Sequence, residues 1–376
     1  MFGRQRHSPI NGSTNRDDPR LPRRENSAHA RKFCDLLRGA QQGVAEVLRR
    51  LGTGAIPESL TFLRDGRTGV ALRSKFPPHN SLNFLFLCSC VSLAFADASL
   101  AKSQQVFSIK VITSSDDQFW TNSIIIEGTH EVMLVDAQLT RSNAEKVLQE
   151  IKATKKPLSI VYITHEHADH FLGLEVFRDA YPTARILANS NVLDRINKVY
   201  QEKIDKWKGI LGFAAASHTV AISRYDDNFI RFENSEIEIL KEVRGDTDEN
   251  TMLWLPGQRT LIAGDVLFND MHVYTAETDM MARKRWLNVL QTIRDLKPAV
   301  VIPGHSKVGA PTDATSAVTF TEKYLSVFEQ ELKRAKDPDG LVKAMKEEFP
   351  SADLLLALER GARANVKQQH YSGGAE

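Results

Sequence analysis

The chain has 376 residues, of which 42% are hydrophobic and 26% charged. Those fractions exclude wholesale disorder, a collagen-like repeat and a multi-span membrane architecture, and the length suits one large domain or two small ones. The net charge of +2 hides an asymmetry: residues 1–75 carry 15 Lys and Arg against 7 Asp and Glu, which leaves residues 76–376 at −6. An acidic body argues against a nucleic-acid surface. All three cysteines, Cys34, Cys88 and Cys90, precede residue 91, so the body has neither a disulfide nor a thiolate metal ligand.

Residues 1–80 read as a basic, disordered leader, or as sequence upstream of the true start. Within it, Phe33, Leu36, Leu37, Val44, Val47, Leu48 and Leu51 recur at helical spacing. A basic membrane-surface or partner helix and a merely solvated helix both fit that pattern. Residues 82–96 form the strongest apolar run, short for a bilayer span of ~20 residues. Arg73 and Lys75 precede it, and Ala94-Phe95-Ala96 and Ala96-Asp97-Ala98 follow. A basic flank, a short apolar core and small-x-small sites make residues 81–98 signal-peptide-like. The expectation is a periplasmic or secreted protein without a membrane span after cleavage. Intact-mass analysis would then read a start near residue 97, 99 or 102. If the run is instead a core helix or an uncleaved anchor, export does not follow, and without a signal the protein stays cytoplasmic.

From residue 106 strands and helices alternate. Strand-like runs fall at 106–113, 123–127, 132–136, 160–164, 185–188, 229–232, 236–243, 251–255, 260–263 and 299–302. Helical patterns fall at 142–152, 172–180, 191–211, 281–296 and 314–336, then 341–349 and 352–367 on either side of Pro350. The expected architecture is a mixed α/β (α+β) domain over residues 105–310, with a helical C-terminal extension at 311–376. The amphipathic pattern at 314–336 serves either internal packing or a homodimer face.

Residues 164–170 read Thr-His-Glu-His-Ala-Asp-His directly after an apolar strand. His165 and His167 point the same way in an extended segment, because side chains alternate with period two. They can grip one ion together, while Asp169 and His170 at the turn into the next helix can face a second. Imidazole and carboxylate suit Zn²⁺, with Mn²⁺ and Fe²⁺ as alternatives. Three later dipeptides, Gly245-Asp246, Gly264-Asp265 and Gly304-His305, each follow a strand. Glycine there lets the backbone approach an ion closely.

This ordered set resembles the metallo-β-lactamase superfamily over about residues 106–310, and Asn122 and Val135-Asp136-Ala137 resemble its opening hairpin. The resemblance implies a four-layer αββα sandwich with a dinuclear site on one edge. One divalent ion would be held by His165, His167 and Asp246, the other by Asp169, His170 and His305. Asp265 would bridge them, and a hydroxide between the ions would be the nucleophile. Asp169 would also orient that nucleophile or pass a proton.

One position departs from the family pattern, which has His where this chain has Asp246. An added carboxylate takes the site from a formal +1 to zero, so its water should ionise at higher pH and harder, oxygen-preferring ions should be better tolerated. Asp248 or His218 could fill the position instead. His272, seven residues after Asp265, is a candidate donor to substrate or oxyanion, or simply a surface histidine. Trp207 and Phe213 either wall the pocket or belong to the core.

The expected activity is hydrolysis of an ester, lactone, thioester, amide (β-lactam) or phosphoester bond in a small-molecule substrate. The alternative is a non-catalytic, metal-containing binding or sensing protein of the same fold. The acidic body disfavours a nuclease. The absence of Glu at position 167 and of a flavodoxin-like segment disfavours a diiron enzyme reducing oxygen or NO.

Overall fold

The computed structural model describes residues 106–372 and, within the leader, strands β1 (Thr61–Asp65) and β2 (Gly69–Arg73), which pair antiparallel. The helix expected at 28–51, the signal-like run and all three cysteines lie outside the described residues. The chain falls into two units, Met1–Ala98 and Ser99–Glu376, and both large sheets belong to the second.

The first large sheet orders β3 (Ser108–Thr113), β4 (Asn122–Glu127), β5 (Val132–Val135), β6 (Leu158–Ile163), β7 (Arg185–Ala188) and β8 (Ser223–Arg224) side by side. It begins as an antiparallel meander, β3 to β5, and continues parallel from β5 to β8. Parallel neighbours need crossovers. Helices α1 (Arg141–Ala153), α2 (Ala168–Phe171), α3 (Leu174–Ala180) and α4 (Ser190–Leu211) supply them. The second sheet runs β13 (Val300–Ser306), β12 (Thr260–Asn269), β11 (Asn250–Leu255), β10 (Ser235–Val243), β9 (Phe229–Phe232). Helix α5 (Met280–Leu296) carries the parallel crossover from β12 to β13.

Side-chain alternation assigns the layers. Ile124, Ile126, Met133, Val135 and Tyr162 point between the sheets and meet Ile237, Ile239, Leu253, Leu255 and Ile262. Their neighbours Ile125, Leu134 and Val161 point outward onto Val147 and Ile151 of α1 and Ile196 of α4. On the far side Met252, Trp254, Leu261 and Val301 meet Trp286 of α5 and Phe328 of α6 (Ser316–Arg334). Met345 of α7 (Pro338–Glu348) and Leu358 of α8 (Leu355–Ser372) join the same cluster. The result is the expected αββα order, but the C-terminal segment is no appendage: α6, α7 and α8 complete the fourth layer. The apolar stripe of α6 is used there, within the chain.

Two strands outrun their expected ends. β12 continues through Gly264-Asp265 to Asn269, and β13 through Gly304-His305 to Ser306. Register shifts between Ile262 and Gly264 and between Gly264 and Phe268 mark bulges, which break the period-two signal without ending the strand. α8 starts at Leu355, three residues later than expected, and β8 is too short to leave a periodic signal.

Candidate metal centre

All seven candidate ligands gather at one edge of the sandwich. β6 delivers Thr164-His165, the turn after it delivers His167 at the N-cap of α2, and α2 presents Asp169 and His170. Asp246 follows β10, while Asp265 and His305 sit inside the bulged β12 and β13. Close backbone approach is what the glycines allow. A Cβ on Gly304 would overlap Asp265 Oδ1, and one on Gly245 would stand 2.8 Å from the Asp265 carbonyl oxygen. Gly304→Ala must therefore displace the Asp265 carboxylate and also push apart the β12 and β13 backbones, since the Cβ would stand 2.7 Å from the Gly264 carbonyl carbon. We expect it to lower metal affinity roughly tenfold or more, as measured by competition with a chelating dye, and to lower the thermal unfolding midpoint of the metal-free chain as well.

The ligand atoms form two groups, His165, His167, Asp246 and Asp265 in one and Asp169, His170 and His305 in the other, each with its atoms within 4.8 Å of one another. Asp265 touches both, with Oδ2 3.5 Å from His165 Nε2 and 3.0 Å from His305 Nε2, and Oδ1 3.2 Å from His170 Nε2. His167 Nδ1 lies 2.7 Å from Asp246 Oδ2.

The surrounding hydrogen bonds set the four imidazole tautomers. Asp136 accepts from the Thr164 hydroxyl at 2.8 Å and from His170 Nδ1 at 2.8 Å. Having donated its proton, the Thr164 hydroxyl accepts from His165 Nδ1 at 3.0 Å. His305 Nδ1 donates to the Phe119 carbonyl at 2.7 Å. Each of these three rings thus turns an Nε2 lone pair inward. His167 is reversed: Nε2 donates to Glu277 Oε1 at 3.1 Å, leaving Nδ1 inward. Thr121 donates to Asp169 Oδ2 at 2.7 Å. His165 Nε2, Asp246 Oδ2 and Asp265 Oδ1 are buried without an aligned hydrogen-bond partner. Four lone pairs and three carboxylates converging on one buried space are costly unless something positive sits there.

Charge states say the same. Burial opposes protonation of His167, but Asp246 and Glu277 overcome it and raise its pKa well above the imidazole range. Burial likewise opposes protonation of His170 and His305, and Asp265 outweighs it in both. The Asp265 carboxyl, pushed up by burial, is pulled well below its usual range by His305, His170 and His165. Protons fill a demand for positive charge that divalent ions would meet by displacing them.

An open cavity of about 160 Å³ leads to this edge. His167, Asp169, Asp265 and His305 lie at its polar end, and Phe119, Trp207, Phe268, Tyr274 and Leu354 among its walls. Trp207 is thus a wall residue, its ring 5.6 Å from that of Phe119. Phe213 is not; it is fully exposed. His272 does not line the cavity either. It is buried against Tyr324, Nδ1 to hydroxyl 3.1 Å, where burial and Lys346 lower its pKa to about 4, and its backbone N–H donates to Asp353. Held against Tyr324 and off the cavity lining, His272 is not brought to the place expected of a donor to substrate or oxyanion. Asp248 is exposed and pairs with Arg244 and Arg285, and His218 is exposed beside Glu175. Neither competes with Asp246, which is fully buried in the cluster.

Sequence reading gave no role to Glu277, Lys203 or Arg360, all of which reach the cavity. Glu277 carries no local motif. Its carboxyl, raised by burial, is brought down to about 2 by His167, Lys203 and Arg195. Asp136 was visible only as part of the opening-hairpin pattern, although its positive φ of 61° is what turns its carboxylate under His170 and Thr164.

Residues 117–305 match the model of the metallo-beta-lactamase superfamily. A metallo-beta-lactamase type 2 of Bacillus sp. (strain 170) is 23% identical over 200 residues, 50% of this chain and 68% of that protein. A hydroxyacylglutathione hydrolase of Haemophilus ducreyi is 25% identical over 191 residues, 50% of this chain and 66% of that protein. Among solved structures, a metallo-beta-lactamase family protein of Thermus thermophilus aligns with a TM-score of 0.51 at 17% identity, covering 71% of this chain and 94% of that one. With its family model matched over half its length, the chain belongs to the metallo-beta-lactamase superfamily.

Proposed function

We propose that the chain is a hydrolase that uses two divalent ions, Zn²⁺ in the first instance, held by the two clusters and shared through Asp265. The observation that carries this reading is the convergence of four imidazole lone pairs and three carboxylates, three of their atoms buried without an aligned hydrogen-bond partner. When bound, such ions make water nucleophilic near neutral pH and polarise a carbonyl or phosphoryl oxygen. The chain's own residues do the rest. Asp136, Phe119, Thr121 and Glu277 fix the ligands. Asp169 lies at the cavity, where it is placed to orient an attacking water and hold its proton. Phe119, Trp207, Phe268 and Tyr274 give the approach to the clusters an aromatic wall against which the substrate's apolar part can rest.

The test is a panel of ester, lactone, thioester, phosphodiester and β-lactam substrates offered to the purified protein with and without chelator. Hydrolysis of at least one class is expected, abolished by chelator and restored by Zn²⁺ or Mn²⁺. No hydrolysis at any metal loading would leave a binding protein.

A further inference from the structure

Two helices contribute side chains to the cavity beside the clusters, and one of them, α8, lies beyond the residues matched to the family model. α4 contributes Lys206 and Trp207, and α8 contributes Leu356, Ala357 and Arg360. Neither Lys206 nor Arg360 forms an ion pair among the described residues. Arg360 still faces the cavity: its charge acts on the phenol of Tyr274, another wall residue. The other cavity cation, Lys203, is engaged, its ammonium donating to the Glu166 carbonyl. Two unpaired cations in the lining of one cavity, beside Leu354 and Leu356, which stay partly exposed, form a surface that water satisfies well at the charges and poorly at the apolar side chains.

α8 is fixed where Arg360 needs it. A Cβ on Gly361 would overlap Thr275 Oγ1, so helix and loop are in direct contact there. Asn365 donates to the Thr275 carbonyl at 2.9 Å and accepts from the buried Arg283 at 2.5 Å. Asp353, just before the helix, accepts the His272 N–H at 2.8 Å. The guanidinium is therefore presented by a packed element, which lowers the ordering cost of binding.

We infer that this cavity takes an amphipathic acid, its anionic group held by Lys206 and Arg360 and its apolar body lying along Trp207, Phe119 and Leu356 toward the clusters. The identification of this acid as the substrate rests on the hydrolytic reading; the anion contact rests on Lys206 and Arg360. Charge complementarity decides for an anion: the lining carboxylates are already engaged, Glu277 by His167 and Asp169 and Asp265 by His305, so the charge left unpaired for a ligand is that of Lys206 and Arg360.

Calorimetry with octane-1-sulfonate tests this, because a sulfonate is a poor metal ligand and reports the two lining cations. Octan-1-ol is the neutral control, and both are offered to the metal-loaded full chain. The sulfonate should bind more tightly than the alcohol. Lys206→Gln/Arg360→Gln should weaken it roughly tenfold or more while changing the alcohol less than about twofold, and Arg360→Lys should recover part of the loss. Equal sulfonate affinity in the unaltered chain and the double variant, or no preference for sulfonate over alcohol, overturns the inference even if the substrate panel shows hydrolysis. Selective sulfonate binding without hydrolysis of any panel member supports it while the hydrolytic reading fails.

Discussion

Replacing His165 and His167 together by Ala should remove one metal equivalent per chain and lower hydrolysis by roughly 10³-fold or more, because an ion that supplies several kcal/mol of transition-state stabilisation is lost with them. Both rings turn a lone pair onto the space shared with Asp246 and Asp265, and the remaining two carboxylates cannot hold a borderline ion as two imidazoles do. The second cluster loses no ligand of its own, so the other equivalent should remain. His305→Ala should act in the opposite sense, weakening the ion beside Asp169 and His170. Elemental mass spectrometry on gel-filtered protein reads both effects. Retention of both ions by the His165→Ala/His167→Ala variant would sink the assignment.

Substitutions at Asp246 should change which ion the first cluster prefers. The side chain is fully buried, with Oδ2 2.7 Å from His167 Nδ1 and Oδ1 accepting from Asn250 Nδ2 at 3.3 Å. It adds an oxygen donor and a negative charge where the family pattern has a neutral nitrogen. The sign of the pH effect follows: added negative charge stabilises the protonated form of a nearby water, so the acidic limb of the rate profile belongs on the alkaline side of neutral. Asp246→His should move that limb to lower pH and shift metal competition toward Zn²⁺ over Mn²⁺. Asp246→Asn keeps the shape but loses the charge, and should cost roughly tenfold or more in metal affinity. Wild-type metal content and rate in Asp246→Ala would show that Asp246 only shapes its loop.

How much of this was legible varied with how local the signal is. The motif from His165 to His170 is contiguous, so its chemistry is readable without a fold. Asp246, Asp265 and His305 could be read because each sits behind a glycine, and the structure shows why: backbone and carboxylate pass where a Cβ would stand. The αββα layers followed from the family resemblance and not from alternation: Ile124, Ile125 and Ile126 are apolar on both faces because the strand is covered on both sides. What escaped depends on distant segments meeting. Glu277 reaches His167 from 110 residues away, and Arg360 reaches the cavity only because Gly361 and Asn365 dock α8 on Thr275. His272 was misplaced for the complementary reason. Sequence proximity to Asp265 suggested the site edge, but the chain after β12 turns into the fourth layer, where Tyr324 and Asp353 capture it.

The central claim is that the two clusters are one dinuclear centre, and anomalous diffraction from zinc-soaked crystals tests it most directly. Two peaks per chain are predicted, one among His165, His167, Asp246 and Asp265, the other among Asp169, His170, His305 and Asp265. No peak at this edge, or ions bound only elsewhere on the chain, would contradict the account.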